Sequence, residues 1–424
     1  MKNYKKALGI LLCLLLLSSC TPAEPGSSNS PGTPSPVGTA PGGEAQPTKA
    51  PNYLSDPKFD TKDPLPQYDH DNTWAHRSKP YYATADTLYL WGGTHGRSFL
   101  NYVDLVTGIS GPLCGKPECS HTDSQCSAYA INPTGLSLYA GKLYWLGYDG
   151  NGDPAIFCVN PDGAGRVKVC SLDRARDQEI VGDRRIIFHR GYAILFGSRG
   201  SVVNGVVQRG SIIYVVSLAT GEEAVILDQT FGGETVTSIK AVPYRDTLYL
   251  IYTESTDGQL RMDISAWSLK THETTLLYSQ TTELIPEGIW PTEGGFLISD
   301  ASGSGIYKFV PDTGKITLAF DFCTEEEGYY GATFANGYTI GWTLSEERIP
   351  HIRATDLEGN EVYSEELDLP DWPSQGLGYG LMGADDGNLY VQLDWKGGKT
   401  TAVQIPLDGT GTVRELWSRE HPLG

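Results

Sequence analysis

Between about Pro80 and Trp417 the chain repeats one short pattern. An apolar strand, a tight turn, an aromatic-bearing strand and a variable loop are followed by a third strand, a Gly- or Asp-containing turn and a fourth strand. The second unit shows it most plainly: Gly135–Tyr139, a turn at Ala140-Gly141, Lys142–Tyr148, a loop over Asp149–Pro154, Ala155–Asn160, a turn at Pro161–Gly163, and Arg166–Leu172. The same hairpin strand returns at Leu88–Trp91, Tyr192–Phe196, Leu248–Tyr252, Phe296–Ile298, Tyr338–Ile340 and Leu389–Val391. The late turn returns at Thr107-Gly108, Thr220-Gly221, Thr271-His272, Thr313-Gly314, Glu358-Gly359 and Asp408-Gly409. Units recur every roughly 42 to 56 residues, the period of four-stranded propeller blades. A short antiparallel sheet cannot cover both of its own faces, whereas radial stacking covers them and leaves only short, protected edges. No sustained helical periodicity interrupts the pattern, which argues against a parallel α/β fold. The predicted fold is therefore all-β, a seven-bladed β-propeller of four-stranded antiparallel blades.

Composition agrees and narrows the partners. With 50 Gly, 24 Tyr, 9 Trp and only 3 Met, the chain is rich in turn and strand formers and poor in helix formers. Its formal charge of -19 repels phosphate backbones and anionic headgroups, so nucleic acid is excluded as a partner and a basic membrane-binding face is absent.

The N-terminus supplies an address. Lys2, Lys5 and Lys6 precede the apolar run Ala7–Leu17, which is followed by Ser18, Ser19 and Cys20. The run is too short for a stable membrane span. This order resembles bacterial lipoprotein signal peptides, and the resemblance implies diacylglycerol on the Cys20 sulfur with cleavage just before it. Residues 1–19 are then a signal peptide, 20–65 a lipid-anchored tether and 66–424 the propeller. Thr21–Pro51 holds no aromatic residue and is dominated by Pro, Gly, Ser, Thr and Ala, so it cannot offset its own ordering entropy. Its prolines stiffen it into a spacer that lifts the ring from the cell membrane on the extracytoplasmic side. Tyr68–Ser78 reads either as a closing strand or as cover for the ring.

Several late turns resemble those of quinoprotein-like propellers. Asp104–Gly108 (Asp-Leu-Val-Thr-Gly) fits fully, while Ala219–Gly221 and Pro311–Gly314 fit in part. The tryptophan those families place after the turn is missing, so a quinone cofactor is not carried over. Taken together, signal, tether and ring resemble uncharacterised seven-bladed propeller lipoproteins of clostridia-like gut bacteria. That resemblance implies a fold and an address and little activity.

One dense constellation stands out. Cys114, Cys119, His121 and Cys126 form a Cys-x₄-Cys-x-His-x₄-Cys stretch, the ligand set of a structural Cys₃His zinc site. Exported proteins also keep cysteines as disulfides, and a Cys119–Cys126 or Cys114–Cys126 bridge would pin the same loop. Both readings stay open, and both are architectural. As the link between the first two units, the cluster is expected on the variable-loop face. Cys158 and Cys170 flank the turn near Asp162-Gly163 at similar offsets, which predicts a cross-strand disulfide. Asp149–Asp153 mimics the start of a calcium loop but lacks the glycine at position six and the glutamate at twelve, so it reads as a turn.

Binding residues on a propeller belong on loops. The variable loops are predicted at Gly92–Arg97, Gly197–Gly210, Thr253–Met262, Asp300–Gly305, Ser345–Pro350 and Trp395–Lys399, with Arg97, Arg199, Arg209 and Trp395 as candidate ligand-binding residues. No Gly-x-Ser-x-Gly, His-Glu-x-x-His or phosphate-loop motif occurs. The expected function is that of a cell-surface lipoprotein whose variable-loop face binds an extracellular protein or glycan without catalysis. The alternatives are an extracellular glycoside hydrolase or lyase, whose paired carboxylates come from distant blades and leave no local spacing, and an envelope-assembly scaffold.

Overall fold

The computed structural model describes residues 81–420 except 85, 95–96, 174–180, 204–205, 232–235, 257, 302–303, 324–329, 346–348, 370, 385–386 and 411. The signal segment with Cys20, the tether and Tyr68–Ser78 lie outside the described residues. So do the side chains of Arg97, Arg199 and Arg209.

The described residues form antiparallel strands in chain order. The first eight are β1 (Tyr81–Ala83), β2 (Thr87–Thr94), β3 (Arg97–Asp104), β4 (Ser110–Pro112), β5 (Tyr129–Tyr139), β6 (Lys142–Tyr148), β7 (Pro154–Val159) and β8 (Val167–Ser171). Next come β9 (Val181–His189), β10 (Tyr192–Val203), β11 (Val206–Ser217) and β12 (Glu223–Phe231), then β13 (Val236–Tyr244), β14 (Thr247–Thr256), β15 (Gln259–Ser268) and β16 (Thr274–Thr282). They are followed by β17 (Pro286–Thr292), β18 (Gly295–Asp300), β19 (Gly305–Val310) and β20 (Lys315–Asp321), and by β21 (Tyr330–Ala335), β22 (Tyr338–Leu344), β23 (Pro350–Thr355) and β24 (Glu361–Glu366). A single helical turn, α1 (Trp372–Gln375), precedes β25 (Gly376–Ala384), β26 (Asn388–Trp395), β27 (Lys399–Pro406) and β28 (Arg414–Glu420).

From β9 onward these strands make five four-stranded sheets; β1–β8 make one eight-stranded sheet. The larger sheet is two four-stranded sets joined where Arg97–Phe99 of β3 pairs with Tyr129–Ile131 of β5. The strands that open successive sets lie beside one another: β1 touches β5 and β25, β5 touches β9, and β17 touches both β13 and β21. This is a propeller arrangement, with opening strands inside and closing strands outside.

The core is a series of layers between sheets. Ile156 and Leu172 meet Phe188, Leu195 and Tyr214. Ile194 and Val215 meet Leu248 and Trp267, and Ile251 and Ile264 meet Phe296 and Phe309. Ile352 and Ala354 meet Leu389, Val391 and Val403. The last layer joins the ends of the described chain: Leu88, Leu90 and Val103 pack on Met382, Tyr390 and Ala402, and Arg414 Nη2 donates to the Leu105 carbonyl at 2.6 Å.

Turn chemistry accounts for the hairpins. Ala140-Gly141 (φ 46° and 73°) and Asn336-Gly337 (44° and 82°) place both central residues at positive φ, the type I′ arrangement that matches strand twist. At the late turn of the first set, Asp104 Oδ1 accepts from the amides of Val106 and Thr107 at 2.9 and 2.8 Å. Those bonds hold the exposed Asp104 carboxyl below the usual carboxylate range.

Three expected loops are largely strands: over Gly92–Arg97, β2 and β3 pair as far as Thr94↔Arg97, which puts Arg97 on β3. Over Gly197–Gly210, β10 and β11 pair without a break from Tyr192↔Ser217 to Val203↔Val206, so Arg199 faces Gly210 and Arg209 faces Gly200 in register. Over Thr253–Met262, β14 and β15 pair as far as Thr256↔Gln259. Small and polar residues in these stretches suggested loops, but long hairpins satisfy their own backbone groups across the pair and need no apolar face.

Candidate metal centre and an aromatic cleft

The connection from β4 to β5 begins at Leu113 and folds through two tight turns. The Cys119 amide donates to the Lys116 carbonyl at 3.1 Å, and the Cys126 amide to the Asp123 carbonyl at 3.2 Å. His121 between them takes φ 56°. This path gathers one ligand atom each from Cys114, Cys119, His121 and Cys126 within 4.8 Å of one another. A tetrahedral shell with zinc–sulfur bonds of about 2.3 Å sets its sulfurs about 3.8 Å apart, so the set needs only a small contraction. His121 Nδ1 lies 3.4 Å from Cys126 Sγ, and the His121 amide donates to Cys119 Sγ at 3.4 Å.

The electrostatics favour a cation. Burial works to raise the Cys114 thiol, but donation from the amides of Lys116 and Ser127 and from the Cys126 and Cys119 thiols outweighs it and brings Cys114 to about 6. Burial pushes Cys126 the other way, up to about 12, with the neighbouring thiols adding to the rise. Burial and the neighbouring thiols oppose negative charge at Cys126, a conflict that a cation would relieve. The three cysteines are thiols in the structure. A disulfide would use two of the sulfurs and leave the third beside the imidazole, whereas a metal ion uses all four donors. The cluster can hold a metal ion.

Its location differs from the expected one. Cys114 rests on the turn between β7 and β8, a short turn, rather than on the variable-loop face: the Gly115 amide donates to the Gly163 carbonyl at 3.0 Å. Because β4 lasts only three residues, the chain has not crossed the sheet before the cluster begins. Arg166 Nη1 donates to the Cys126 carbonyl at 3.1 Å, tying the far end of the cluster to the same region. Gly163 is required here twice, since its φ is +78° and a Cβ would lie 2.7 Å from the Cys114 nitrogen. Gly163→Ala is expected to lose about 1–3 kcal/mol in denaturant unfolding through backbone strain alone, and more if Cys114 cannot shift.

Cys158 and Cys170 are also thiols. A bulge between Ile156 and Phe157 sets Cys170 opposite Ile156 and Cys158 opposite Val167, so the equal offsets read from sequence do not make the two cysteines direct partners. Asp149 is occupied as a turn residue: its Oδ1 accepts from the Asn151 and Asp153 amides at 2.9 and 3.1 Å, and its Oδ2 pairs with Lys168 Nζ at 3.0 Å.

Of the four expected ligand-binding residues, only the Trp395 side chain is described. It stands at the end of β26 in a cleft of about 430 Å³ between the last sheet and the segment around α1. Trp395 Nε1 donates to Thr401 Oγ1 at 2.9 Å. Its ring meets Trp372 edge-on at 5.2 Å, Trp372 lies 6.1 Å from Tyr379, and Tyr379 lies 4.9 Å from Trp342. Lys399 Nζ sits 5.9 Å from the Trp395 ring centre. Asp368, Asp371, Gln375, Lys396 and Glu415 supply its polar lining beside Leu369, Leu393, Val403 and Val413. The sequence reading missed Trp372 and the two aspartates. The signal for Asp371 and Trp372 was the Asp371-Trp372-Pro373 step, with proline in the first turn of α1.

No protein family matches this chain, and no curated protein matches it. Solved structures do. An acylaminoacyl peptidase from Pyrococcus horikoshii aligns with a TM-score of 0.51 at 10% identity, covering 82% of this chain and 53% of that one. An acylaminoacyl peptidase in complex with Z-Gly-Gly-Phe-chloromethyl ketone aligns with a TM-score of 0.52 at 10% identity, covering 80% and 52%. The chain spans about half the length of these structures. What they share with it is the fold.

Proposed function

We propose that this chain is an extracytoplasmic recognition module: a ring of seven four-stranded blades, anchored by lipid at Cys20, that binds an extracellular glycan or protein through its variable-loop side without turning it over. The seven-blade count divides the eight-stranded sheet at the β3–β5 pairing and adds the five remaining sheets. The anchor and spacer rest on the sequence of the first 65 residues. The observation that carries the binding reading is the cleft at Trp395, where one indole ring meets carboxylates, an amide and lysines. An aromatic face beside hydrogen-bonding groups suits a polar polymer, because it buries an apolar ring face while the polar groups fix orientation. The cysteine–histidine cluster is read as a structural zinc site, apart from recognition, because a closed four-ligand shell leaves no place for substrate. The activity in the neighbours' names is not transferred, since 10% identity over half of each supports a shared fold and no more.

A glycan and peptidoglycan array on the full-length chain, with product analysis on each hit, tests this reading. Saturable binding without products is expected, and Trp395→Ala should weaken it about tenfold, equivalent to about 1.4 kcal/mol, when measured under conditions where the variant is shown to be folded. Product formation would replace the binding reading with the enzyme one.

A further inference from the structure

We infer that the ion at Cys114, Cys119, His121 and Cys126 is a clasp that holds the outer edge of β3 together across the junction of the first two strand sets. This rests on the zinc reading above and assigns the ion a mechanical task.

The geometry centres on Leu100, which is buried in the middle of β3. Its carbonyl accepts from the Leu113 amide at 2.7 Å, and its own amide donates to the Ala128 carbonyl at 2.8 Å. The connection between β4 and β5 therefore leaves and returns at the same residue, and all four ligands lie within it. On one side of Leu100, Asn101–Val103 pairs with β4; on the other, Arg97–Phe99 pairs with the start of β5.

Elsewhere one continuous strand covers this edge: β12 and β16 each run nine residues. Here the edge is covered by two three-residue pieces from different sets. Pieces so short contribute few hydrogen bonds, and the connection between them has no strand or helix of its own. Closing it requires cross-links that offset the entropy of a long loop. An ion bonded to Cys114 just after β4 and to Cys126 just before β5 shortens that loop at its mouth, where both pieces are fixed.

Hydrogen exchange on the full-length chain tests the clasp, with metal content measured on the same sample. The chain is compared zinc-loaded, stripped with a chelator, and reloaded with zinc chloride. Amides in 97–131 should exchange at least tenfold faster after stripping and recover on reloading, while those in 236–321 stay unchanged. His121→Asn, which keeps the thiolates and the chain path, should give the stripped pattern at limiting zinc. One zinc per chain with no change over 97–131 overturns the clasp and leaves the zinc site standing. Loss of protection throughout the chain also overturns it, because the effect would then be global. No bound zinc, with the three thiols blocked to alkylation until reduced, overturns the zinc reading and the clasp with it.

Discussion

Arg190→Ala is expected to destabilise the protein by about 3 kcal/mol, toward the lower end of the cost of breaking a buried ion pair. Arg190 sits in the turn between β9 and β10, with its side chain fully buried, and pairs with Asp246 in the turn between β13 and β14. Asp246 also pairs with Lys270 and is 21% exposed, so it keeps a counter-ion and some water when the arginine is lost. That is why the lower end applies. Beside this pair, His189 Nε2 bonds to the Arg245 carbonyl at 2.7 Å, so two adjacent turns are joined by a polar node. Arg190 also holds φ 45° at the first position of a tight Arg190-Gly191 hairpin turn, which costs an arginine about 1–2 kcal/mol. Arg190→Asn separates the two effects, since asparagine tolerates that backbone but cannot reach Asp246. Denaturant midpoints should fall for both variants, by about 1 kcal/mol less for asparagine, which relieves the backbone strain that alanine keeps. A near-normal midpoint for the asparagine variant would show that the ion pair carries little.

Stripping the metal is expected to have an effect of similar size. An ion that binds only the folded chain stabilises it by about 4 kcal/mol when its free concentration is a thousandfold above Kd. Chelation should therefore lower the unfolding midpoint by a clear step, and zinc should restore it. Cys126→Ser should remove the response to both, because Cys126 is fully buried and no other sulfur can take its place. The variant then starts near the stripped protein's stability. Equal responses to chelator in Cys126→Ser and the unaltered chain would mean that the stabilising ion is bound elsewhere.

What the sequence made legible is what local chemistry decides. Paired turns such as Ala140-Gly141 and Asn336-Gly337, and the Asp104 turn, announce their own geometry, so hairpin positions and the four-strand period follow from short stretches. The Cys₃His donor set within Cys114–Cys126 was visible for the same reason, with metal and disulfide both left open. The pairing of β3 with β5 was not, because it joins residues about thirty positions apart and depends on β4 stopping after three residues. The node of Arg190 and Asp246 spans 56 residues and leaves no pattern. Trp395 was legible as a candidate binding residue, whereas its edge-on contact with the buried Trp372 depends on a separate segment of chain and leaves no local pattern. Long hairpins at 197–210 and 253–262 were read as loops because their polar residues hide a pairing that only the partner strand reveals.

The chemistry-bearing cluster of this propeller is proposed to be architectural, a four-donor metal site at the junction of its first two strand sets. The most direct measurement is diffraction from crystals of the full-length chain on both sides of the zinc absorption edge. A single anomalous peak is predicted, about 2.3 Å from the sulfurs of Cys114, Cys119 and Cys126 and about 2.0–2.1 Å from a His121 nitrogen. A disulfide between any two of those cysteines, with no peak beside them, would contradict it.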